Sequence, residues 1–427
     1  MEMKPTVYKL ENCANGRQFE ESGWILSDPN HNEPALIRAI YEKRQIEFKD
    51  DSWGIYKFAD WMPVSRVLEG SRAPITYKSE ALAAELGLEN LYITFSGWWP
   101  QRGATMPTCS FKETEAYSVC ARLPEGLNRT LVVASAGNTA RAFAHVCSQN
   151  NIPVVIAIPQ DNLDALWFRE PLNPCVKIIC TPTGTDYYDT IVLASKLNGN
   201  PRYIEEGGAK NIARRDGMGT TVLSAANTIG RIPDSYFQAV GSGTGAIAAY
   251  EANLRLLKDG RFGNHIMKLF PSQNIPFTPL YDAYKAGSRA LLPSDEEQAR
   301  KKALAIMAKV LSNRRPPYSI AGGLFDVLNA SNGEMLVATN DELTQACDMF
   351  EQLEGIDIHP AAGVAVASLI GALEKKKIRK DETVMLNITG GGEKLYKNSH
   401  AWYSAVPNLI MDASTPAEEV IAAVDQL

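Results

Sequence analysis

The chain has 427 residues, of which 45% are hydrophobic and 22% are charged, and its formal net charge is -6 at pH 7. This length suffices for two or three domains with their own cores, and the negative charge without long basic runs argues against a nucleic-acid partner. The longest apolar run, Ala361–Leu373, is too short to span a bilayer, so we expect a soluble protein with a buried helix there.

Residues 1–50 are polar and irregular, and we interpret them as an N-terminal appendage. Cys13 lies in a sequence like half of a zinc-ribbon knuckle, but one cysteine cannot make a four-ligand site, so we predict no metal. The seven cysteines have no paired spacing, which indicates reduced thiols in the cytoplasm. Helix-like sequence follows at Pro34–Lys43.

Short β-branched runs alternate with helix-like segments over most of the remaining chain, which predicts βαβ units and a parallel sheet buried on both faces. The predicted strands include Thr130–Ala134, Pro153–Ile158, Val176–Ile179, Tyr236–Val240 and Thr383–Ile388. The predicted helices include Glu113–Leu123, Asn162–Phe168, Asp186–Leu197, Ala246–Leu257, 296–311, 341–353 and Ala361–Leu373. A second α/β unit from about residue 236 is the natural division of the chain.

Lys112 ends the hexapeptide Pro107-Thr-Cys-Ser-Phe-Lys112, immediately before a helix-like segment. Burial or a cationic neighbour lowers the pKa of a lysine, so that its neutral amine can act as a base or form a Schiff base. For the hexapeptide alone, the favoured interpretation is an ordinary solvated lysine at a helix start. The motifs that follow favour the catalytic one.

Three loops rich in glycine or hydroxyl groups each follow a predicted strand. Gly241-Ser-Gly-Thr-Gly245 is suited to a phosphate, because its backbone N–H groups and the next helix N-terminus attract anions. Ser135-Ala-Gly-Asn-Thr139 is suited to a carboxylate, and Asn138 can donate to a phenolate oxygen. Thr389-Gly-Gly-Gly392 is the third loop. Such loops converge on one crevice in an α/β sheet, and with Lys112 they describe a site for pyridoxal 5'-phosphate.

The order of these motifs resembles the tryptophan-synthase-β-like, fold type II pyridoxal phosphate enzymes, and within them the threonine synthase branch. More closely, the chain is similar to the relatives of threonine synthase that make L-cysteate for coenzyme M synthesis in methanogenic archaea. The resemblance covers about residues 60–395, and its segments are Ala73–Ala81, Thr108–Glu113, Ala134–His145, Gly217–Thr220, Tyr236–Gly245 and Pro317–Tyr318.

The resemblance implies a fold type II α/β architecture of two interleaved domains, with mostly parallel central sheets flanked by helices. Residues 51–235 would form the N-terminal domain, which carries the lysine and the substrate loop. Residues 236–427 would form the C-terminal domain, which carries the loop for the cofactor phosphate. We expect a homo-oligomer.

The resemblance also implies roles for single residues. Lys112 matches the lysine that holds the cofactor and moves the α-proton, and Asn138 matches the residue that faces the 3-hydroxyl of the cofactor. Thr389 matches the hydroxyl residue at the pyridine nitrogen, where a neutral group favours β-elimination over transamination. The phosphate loop consists of Gly241, Ser242, Gly243, Thr244 and Gly245. The expected substrate-binding residues are Ser135, Ala136, Gly137, Thr139, Arg141, Asn211 and Arg214.

Of these, Arg141 is chosen for its position on the helix after the second loop. Arg141 and His145 are four residues apart, so we expect both on the helix face toward the crevice. Arg102 and Lys210 are further candidates for binding phosphate or sulfite, although both also suit exposed ion pairs.

Two departures separate the chain from threonine synthases. Gly217-Met-Gly-Thr220 stands where threonine synthases usually have Gly-Gln-Lys-Thr, and His359-Pro-Ala-Ala-Gly363 stands where they have Glu-Pro-Ala-Ser-Ala. The expected reaction is therefore replacement of the phosphate of O-phospho-L-serine by sulfite, which gives L-cysteate. Threonine synthesis from O-phosphohomoserine, phosphoserine-dependent cysteine synthesis and a non-catalytic anion-binding relative stay open as alternatives.

Overall fold

Two largely parallel sheets form the framework of the computed structural model, which describes residues 3–124, 126–314 and 316–427. The strands, numbered in chain order, are β1 (Tyr8–Asn12), β2 (Gln18–Phe19), β3 (Ile37–Tyr41), β4 (Ile75–Lys78), β5 (Asn90–Phe95), β6 (Trp98–Trp99), β7 (Ala104–Thr105), β8 (Thr130–Ala134), β9 (Val154–Pro159), β10 (Trp167–Phe168), β11 (Val176–Thr181), β12 (Tyr203–Glu205), β13 (Ser235–Ala239), β14 (Lys268–Asn274), β15 (Leu336–Ala338), β16 (Thr383–Ile388), β17 (Tyr403–Ser404) and β18 (Leu409–Ile410).

Helices cover both sheets. The α-helices are α1 (Ala81–Leu86), α2 (Lys112–Arg122), α3 (Asn138–Gln149), α4 (Tyr187–Ser195), α5 (Ile212–Ile229), α6 (Thr244–Asp259), α7 (Pro279–Lys285), α8 (Glu296–Ala305), α9 (Leu324–Ala330), α10 (Asn340–Glu354), α11 (Pro360–Glu374), α12 (Glu393–Ser399) and α13 (Ala417–Val424). Short 3-10 helices lie at Pro100–Arg102, Gln160–Ala165, Gly208–Lys210 and Lys309–Leu311. The segment Asp51–Trp61 is also of 3-10 type, but Gly54 is not helical and kinks it.

The larger sheet has six strands in the order β15-β14-β13-β16-β5-β4, and only the β4–β5 pair is antiparallel. Strands β13 and β16 are buried along their whole length. Helix α11 packs against β13, β14 and β16, while α5 packs against β4 and β5. Such cover explains why the inner strands have near-continuous apolar sequences, as parallel strands with two covered faces do.

The smaller sheet has five parallel strands in the order β12-β8-β9-β11-β18, with α3 and α4 packed on it. The sequence prediction of mostly parallel sheets flanked by helices is confirmed. Strands β4 and β5 join the larger sheet although they precede residue 236, and β18 joins the smaller sheet although it follows that residue. The two sheets therefore draw strands from both sides of the predicted domain boundary, which is the pattern of interleaved domains.

Three predicted helices differ from the structure. Pro34–Lys43 was predicted helical but contains β3, which pairs with β1 in an antiparallel sheet. Alternate residues Ile37 and Ala39 are buried there, which is the period of a strand. The predicted helix Asn162–Phe168 is wrong, because a 3-10 helix and then β10 occupy it. The predicted helix 296–311 ends at Ala305.

Two other features of the described residues concern their helices and their cysteines. None of their helices combines the length and apolar character that crossing a bilayer requires. All seven cysteines have free thiols. Helix α11, predicted as a buried apolar helix, is buried along the face that packs on the larger sheet.

Candidate active site

A cavity that opens to solvent lies where loops from the two sheets meet. It gathers all the predicted cofactor residues, namely Lys112, Asn138, Gly241, Ser242, Gly243, Thr244, Gly245 and Thr389. It also gathers most of the predicted substrate residues, namely Ser135, Ala136, Gly137, Thr139 and Arg214. Arg141 and Asn211 are not among its lining residues.

The loop before α2 and the loop after β16 are joined by backbone hydrogen bonds, which hold Lys112 beside Thr389. The N–H of Phe111 donates to the carbonyl of Thr389 at 2.9 Å, and the N–H of Gly391 donates to the carbonyl of Cys109 at 3.1 Å. A Cβ at Gly390 would lie 2.8 Å from the carbonyl oxygen of Cys109. The glycine-rich sequence after Thr389 is thus required for the close approach of the lysine loop.

Lys112 is the first residue of α2, and its amine borders the cavity. The Lys112 Nζ atom lies 3.2 Å from Oε2 of Glu115, and 21% of the lysine side chain is exposed. Burial lowers the pKa of Lys112 below its ordinary value, and the Glu115 carboxylate acts in the opposite direction. The amine is therefore closer to its neutral form than an exposed lysine, as a base requires.

The loop Gly241–Gly245 leads from β13 into α6 and borders the same cavity. A Cβ at Gly245 would overlap the side-chain amide of Gln238, so only glycine fits there without displacement. The hydroxyls of Ser242 and Thr244 lie 2.7 Å apart. Glycine backbone that borders the cavity, two hydroxyls and the N-terminus of a long helix make this loop fit the phosphate of pyridoxal phosphate.

We expected Arg141 on the helix face toward the crevice, but it lies outside the cavity lining. Its guanidinium is buried among loop carbonyls. It donates to the carbonyl of Thr108 from Nε and Nη2 at 3.0 and 2.9 Å, and to the carbonyl of Ala165 at 2.7 Å. Its Nη2 also donates to Oδ1 of Asn138 at 3.1 Å. The guanidinium carbon lies 4.4 Å from the ring centre of Trp167. Arg141 is 2% exposed, so it orients Asn138 and the adjacent loops.

His145 also lies away from the main cavity, in a second, separate cavity that Arg72 and Trp167 line with it. Burial and the charge of Arg72 lower the pKa of His145 to about 4, so the imidazole is neutral near neutral pH. The helix spacing correctly put Arg141 and His145 on one face of α3, but that face packs beside the cavity rather than into it.

Asn211 caps helix α5 from a buried position. Its Oδ1 accepts from the N–H of Ala213 at 3.0 Å and from Arg122 at 2.8 Å, while its Nδ2 donates to the carbonyl of Glu206 at 2.7 Å. These bonds use the polar groups of Asn211 for the start of the helix. The predicted substrate role is therefore not favoured by its position.

The remaining two candidate cations lie outside the cavity lining. The guanidinium carbon of Arg102 stacks 4.3 Å from the ring centre of Tyr77 and 4.8 Å from that of Trp99. Lys210 is exposed at the end of a 3-10 helix. Both suit packing or solvation better than ligand contact.

The loop Ser135–Thr139 uses its two hydroxyls within the protein. Ser135 Oγ accepts from the N–H groups of Gly137 and Ala140 at 3.1 and 3.0 Å. The hydroxyl of Thr139 donates a hydrogen bond to Oε1 of Glu115 at 2.8 Å. A bound carboxylate would therefore meet chiefly the positive N-terminus of α3 at this loop.

Arg214 lines the cavity and forms a bidentate ion pair with Glu206. Its Nε and Nη2 donate to the two carboxylate oxygens of Glu206 at 2.8 and 2.7 Å, and Nη2 lies 3.6 Å from Glu115. These carboxylates raise the pKa of Arg214, which stays charged. Tyr187 from α4 lines the cavity beside it.

Sequence reasoning missed Glu115, Glu206 and Tyr187. Glu115 was the one with a readable signal, because residues three apart share a helix face and it follows Lys112 at that spacing. Tyr187 and Glu206 approach from other elements, so only the fold brings them to the site. Within the described residues, no cluster of three or more histidine, cysteine, aspartate or glutamate side chains is arranged to hold a metal.

Comparisons with known proteins identify the family and the fold of this chain. A family model described as "Pyridoxal-phosphate dependent enzyme" matches residues 76–390. The fold is similar to that of maize serine racemase, with a TM-score of 0.57 and 14% identity over 76% of this chain and 91% of that one. It is also similar to the processed form of threonine deaminase isoform 2 from Solanum lycopersicum, with a TM-score of 0.55 and 19% identity over 77% and 83% of the two chains.

Sequence relatives are closer. Cysteate synthase from Methanosarcina acetivorans is 46% identical over 97% of this chain and 99% of the relative. The enzyme of the same name from Methanosarcina mazei is 47% identical over 95% and 97%, and that from Methanospirillum hungatei is 42% identical over 99% and 98%. The chain therefore belongs to the cysteate synthase family of pyridoxal-phosphate dependent enzymes, and pyridoxal 5'-phosphate is its cofactor.

Proposed function

We propose that this protein replaces the phosphate of O-phospho-L-serine with sulfite and releases L-cysteate and inorganic phosphate. The observation that carries the proposal is the position of Lys112 Nζ in a cavity that also contains a phosphate-type loop and the cation Arg214. Membership in the cysteate synthase family over nearly the whole chain supports the same reaction.

The cavity residues fit pyridoxal phosphate. Lys112 would hold its aldehyde carbon, Asn138 its ring oxygen, Thr389 its ring nitrogen and the loop Gly241–Gly245 its phosphate. When bound, this cofactor withdraws electrons from the α-carbon of an amino acid, which makes the α-proton acidic and lets a group on the β-carbon leave.

Lys112 then serves as the base of the reaction. Its neutral amine takes the proton from the α-carbon of the substrate and returns that proton after sulfite has formed the new carbon–sulfur bond. The phosphate leaves with the electrons of its bond to the β-carbon. Lysine is suited to both transfers because burial has lowered its pKa toward the working range.

Arg214 is the group we expect to bind the anions. Phosphate leaves the same β-carbon to which sulfite is then added, so one cation can serve both. A guanidinium binds such oxygens through paired hydrogen bonds. Glu206 already accepts from Nε and Nη2 of Arg214, so an anion that used these two groups would have to replace the carboxylate.

The positions that differ from threonine synthases have structural roles here. Met218 lines the cavity where those enzymes have glutamine. A Cβ at Gly219 would lie 3.2 Å from the carbonyl oxygen of Ala248, so this glycine lets α5 pack closely against α6. Apolar Met218 thus replaces the glutamine of threonine synthases, and Gly219 replaces their lysine. The loss of these two polar groups supports phosphoserine rather than phosphohomoserine as the substrate.

Other features support two inferences, about location and about assembly. We infer that the protein works in the cytoplasm, which the seven free thiols support. We infer also that it forms a homo-oligomer, because Trp402, Tyr403 and Val406 are 45%, 52% and 77% exposed in one segment. Light scattering on the purified full chain measures the assembly directly.

A product assay tests the proposed reaction. Purified protein loaded with pyridoxal phosphate receives phosphoserine and sulfite, and phosphate release and L-cysteate are measured together. We expect equal amounts of both products, none with Lys112→Ala, and full activity with Lys210→Ala as the matched lysine control. Threonine formed from phosphohomoserine and water at a comparable rate, or a preference for sulfide over sulfite, would contradict the proposal.

A further inference from the structure

A buried carboxylate contacts the amine that carries the chemistry. Glu115 lies one helical turn after Lys112 on α2, and its side chain is 0% exposed. Its Oε2 atom is 3.2 Å from Lys112 Nζ. Its Oε1 atom accepts from the Thr139 hydroxyl at 2.8 Å and lies 3.6 Å from Arg214 Nη2. Groups from three helices therefore hold both oxygens of this carboxylate.

Such a position requires a reason, because an ionised carboxylate out of water costs free energy unless it is paired and hydrogen-bonded. Two cations and two carboxylates meet at this end of the cavity: Lys112 and Arg214 against Glu115 and Glu206. Arg214 is already matched by its two bonds to Glu206. Glu115 is thus the carboxylate in contact with Lys112. Of the four charged residues, Lys112 is the one whose charge changes during the reaction.

We propose that Glu115 is a catalytic residue that holds the proton on Lys112 between its removal from the α-carbon and its return. The inference rests on the proposed function and adds a residue to it. When Lys112 Nζ takes the α-proton it becomes an ammonium, and one of its N–H groups donates to Oε2 of Glu115. The proton stays on nitrogen, so no further donor or acceptor is needed.

The other charged groups near Lys112 come from two more elements. Arg214 on α5 lowers the pKa of the lysine, and Glu206, from the loop after β12, raises it. Tyr187 from α4 lines the same cavity. The loop Gly241–Gly245 and Thr389 contribute glycines and hydroxyls without charge. Glu115 is the group in direct contact, so its removal is expected to have the largest effect.

The first test measures the proton affinity of Lys112 in the full chain freed of cofactor. Only a neutral amine reacts with acetic anhydride, so the rate of Lys112 acetylation, followed by mass spectrometry of its peptide, reports the neutral fraction. Glu115→Gln should speed acetylation at neutral pH about 10-fold or more, because an opposite charge within about 4–6 Å shifts a pKa by about 1–3 units. Glu115→Asp should show a smaller increase.

Glu113→Gln is the matched control. Glu113 is an equally buried carboxylate on the same helix, but its Oε2 is held by the backbone and hydroxyl of Thr108. Its substitution should leave the acetylation profile of Lys112 unchanged. Coinciding profiles for Glu115→Gln and the native protein, or an equal change in Glu113→Gln, would overturn the inference. If Glu115→Gln does not fold, as judged by circular dichroism, the acetylation rate of Lys112 in Glu115→Asp is used instead. A faster rate than in the native protein supports the inference, and an unchanged rate overturns it.

The second test follows the proton itself. With phosphoserine deuterated at the α-carbon, in ordinary water, the native enzyme should return part of the label to cysteate in a single turnover. Glu115→Gln should return a smaller fraction, and equal fractions would refute the holding role. The acetylation result needs no turnover. Suppose that Glu115→Gln shows the expected faster acetylation of Lys112 but the native enzyme forms no cysteate. That result would refute the proposed function and still establish the contact between Glu115 and Lys112.

Discussion

Nη2 of Arg141 donates a hydrogen bond to the side-chain oxygen of Asn138 at 3.1 Å. Because the amide oxygen is occupied by Arg141, the NH2 group is the part of Asn138 that can donate to a ligand in the cavity. The ring oxygen of pyridoxal phosphate is an acceptor and needs such a donor. We therefore propose that Arg141 is a positioning residue, which would act on the cofactor through Asn138.

Arg141→Ala should weaken the binding of pyridoxal phosphate about 10-fold and lower the free energy of unfolding by roughly 2–4 kcal/mol, because the carbonyls of Thr108 and Ala165 lose their donor inside the protein. Absorbance titration with cofactor and denaturant unfolding measure the two effects. Arg102→Ala, which removes a cation stacked on Tyr77 and Trp99, is the control and should retain cofactor affinity. Native cofactor affinity in Arg141→Ala would show that the orientation of Asn138 does not depend on this bond.

Arg214→Met should reduce kcat/KM for phosphoserine about 10- to 100-fold, since a hydrogen bond to a charged group contributes roughly 1.5–3 kcal/mol. Arg214→Lys should recover part of this loss, because it restores the charge but not the paired geometry. Steady-state phosphate release at varied phosphoserine measures both variants. An unchanged kcat/KM in Arg214→Met would move the anion site elsewhere in the cavity.

Gly245→Ala should weaken cofactor binding about 10-fold or more, because the added methyl group overlaps the amide of Gln238. Gln238 is buried and accepts hydrogen bonds from Tyr236 and Asn387, so we expect the phosphate loop to shift instead. Gly260 ends the same helix with a positive φ of 83° and has nothing within 4 Å of an added Cβ. Gly260→Ala should thus cost about 1 kcal/mol of stability through its backbone conformation and leave cofactor affinity intact. Comparable cofactor binding by the two variants would contradict the assignment of the loop.

Glu113 should make stability depend on pH. Burial raises the pKa of Glu113 from its ordinary value of 4.5 to about 7, so the folded chain binds this proton more tightly than the unfolded chain. The stabilisation from Glu113 is complete below about pH 4.5 and is lost as the pH rises through about 7. The free energy of unfolding of Glu113→Gln, relative to the native protein, should therefore rise by roughly 2–3 kcal/mol between about pH 5 and pH 8. A difference that stays constant with pH would contradict this.

Much of the candidate site was readable from short stretches of sequence. Lys112 before a helix, the glycine loop Gly241–Gly245 and Thr389 after a buried strand are local patterns. Their chemistry depends on backbone freedom and on helix ends, which neighbouring residues determine. The alternation of apolar runs with helical segments predicted a parallel sheet for the same reason, because burial on both faces leaves its period in each strand.

Only the tertiary structure decided which partners these residues meet. The chain sends β4 and β5 into the larger sheet and β18 into the smaller one, a pairing that depends on contacts between distant segments. Arg141 lies on the same face of α3 as His145, as predicted. Its guanidinium, however, donates to the carbonyl of Thr108 and to the side chain of Asn138 instead of facing the cavity. Glu115 meets Lys112 along one helix, but Thr139 and Arg214 reach it from two others. Local sequence therefore determined the reactive groups and their loops, whereas long-range packing determined the hydrogen bonds and charges that set how those groups act.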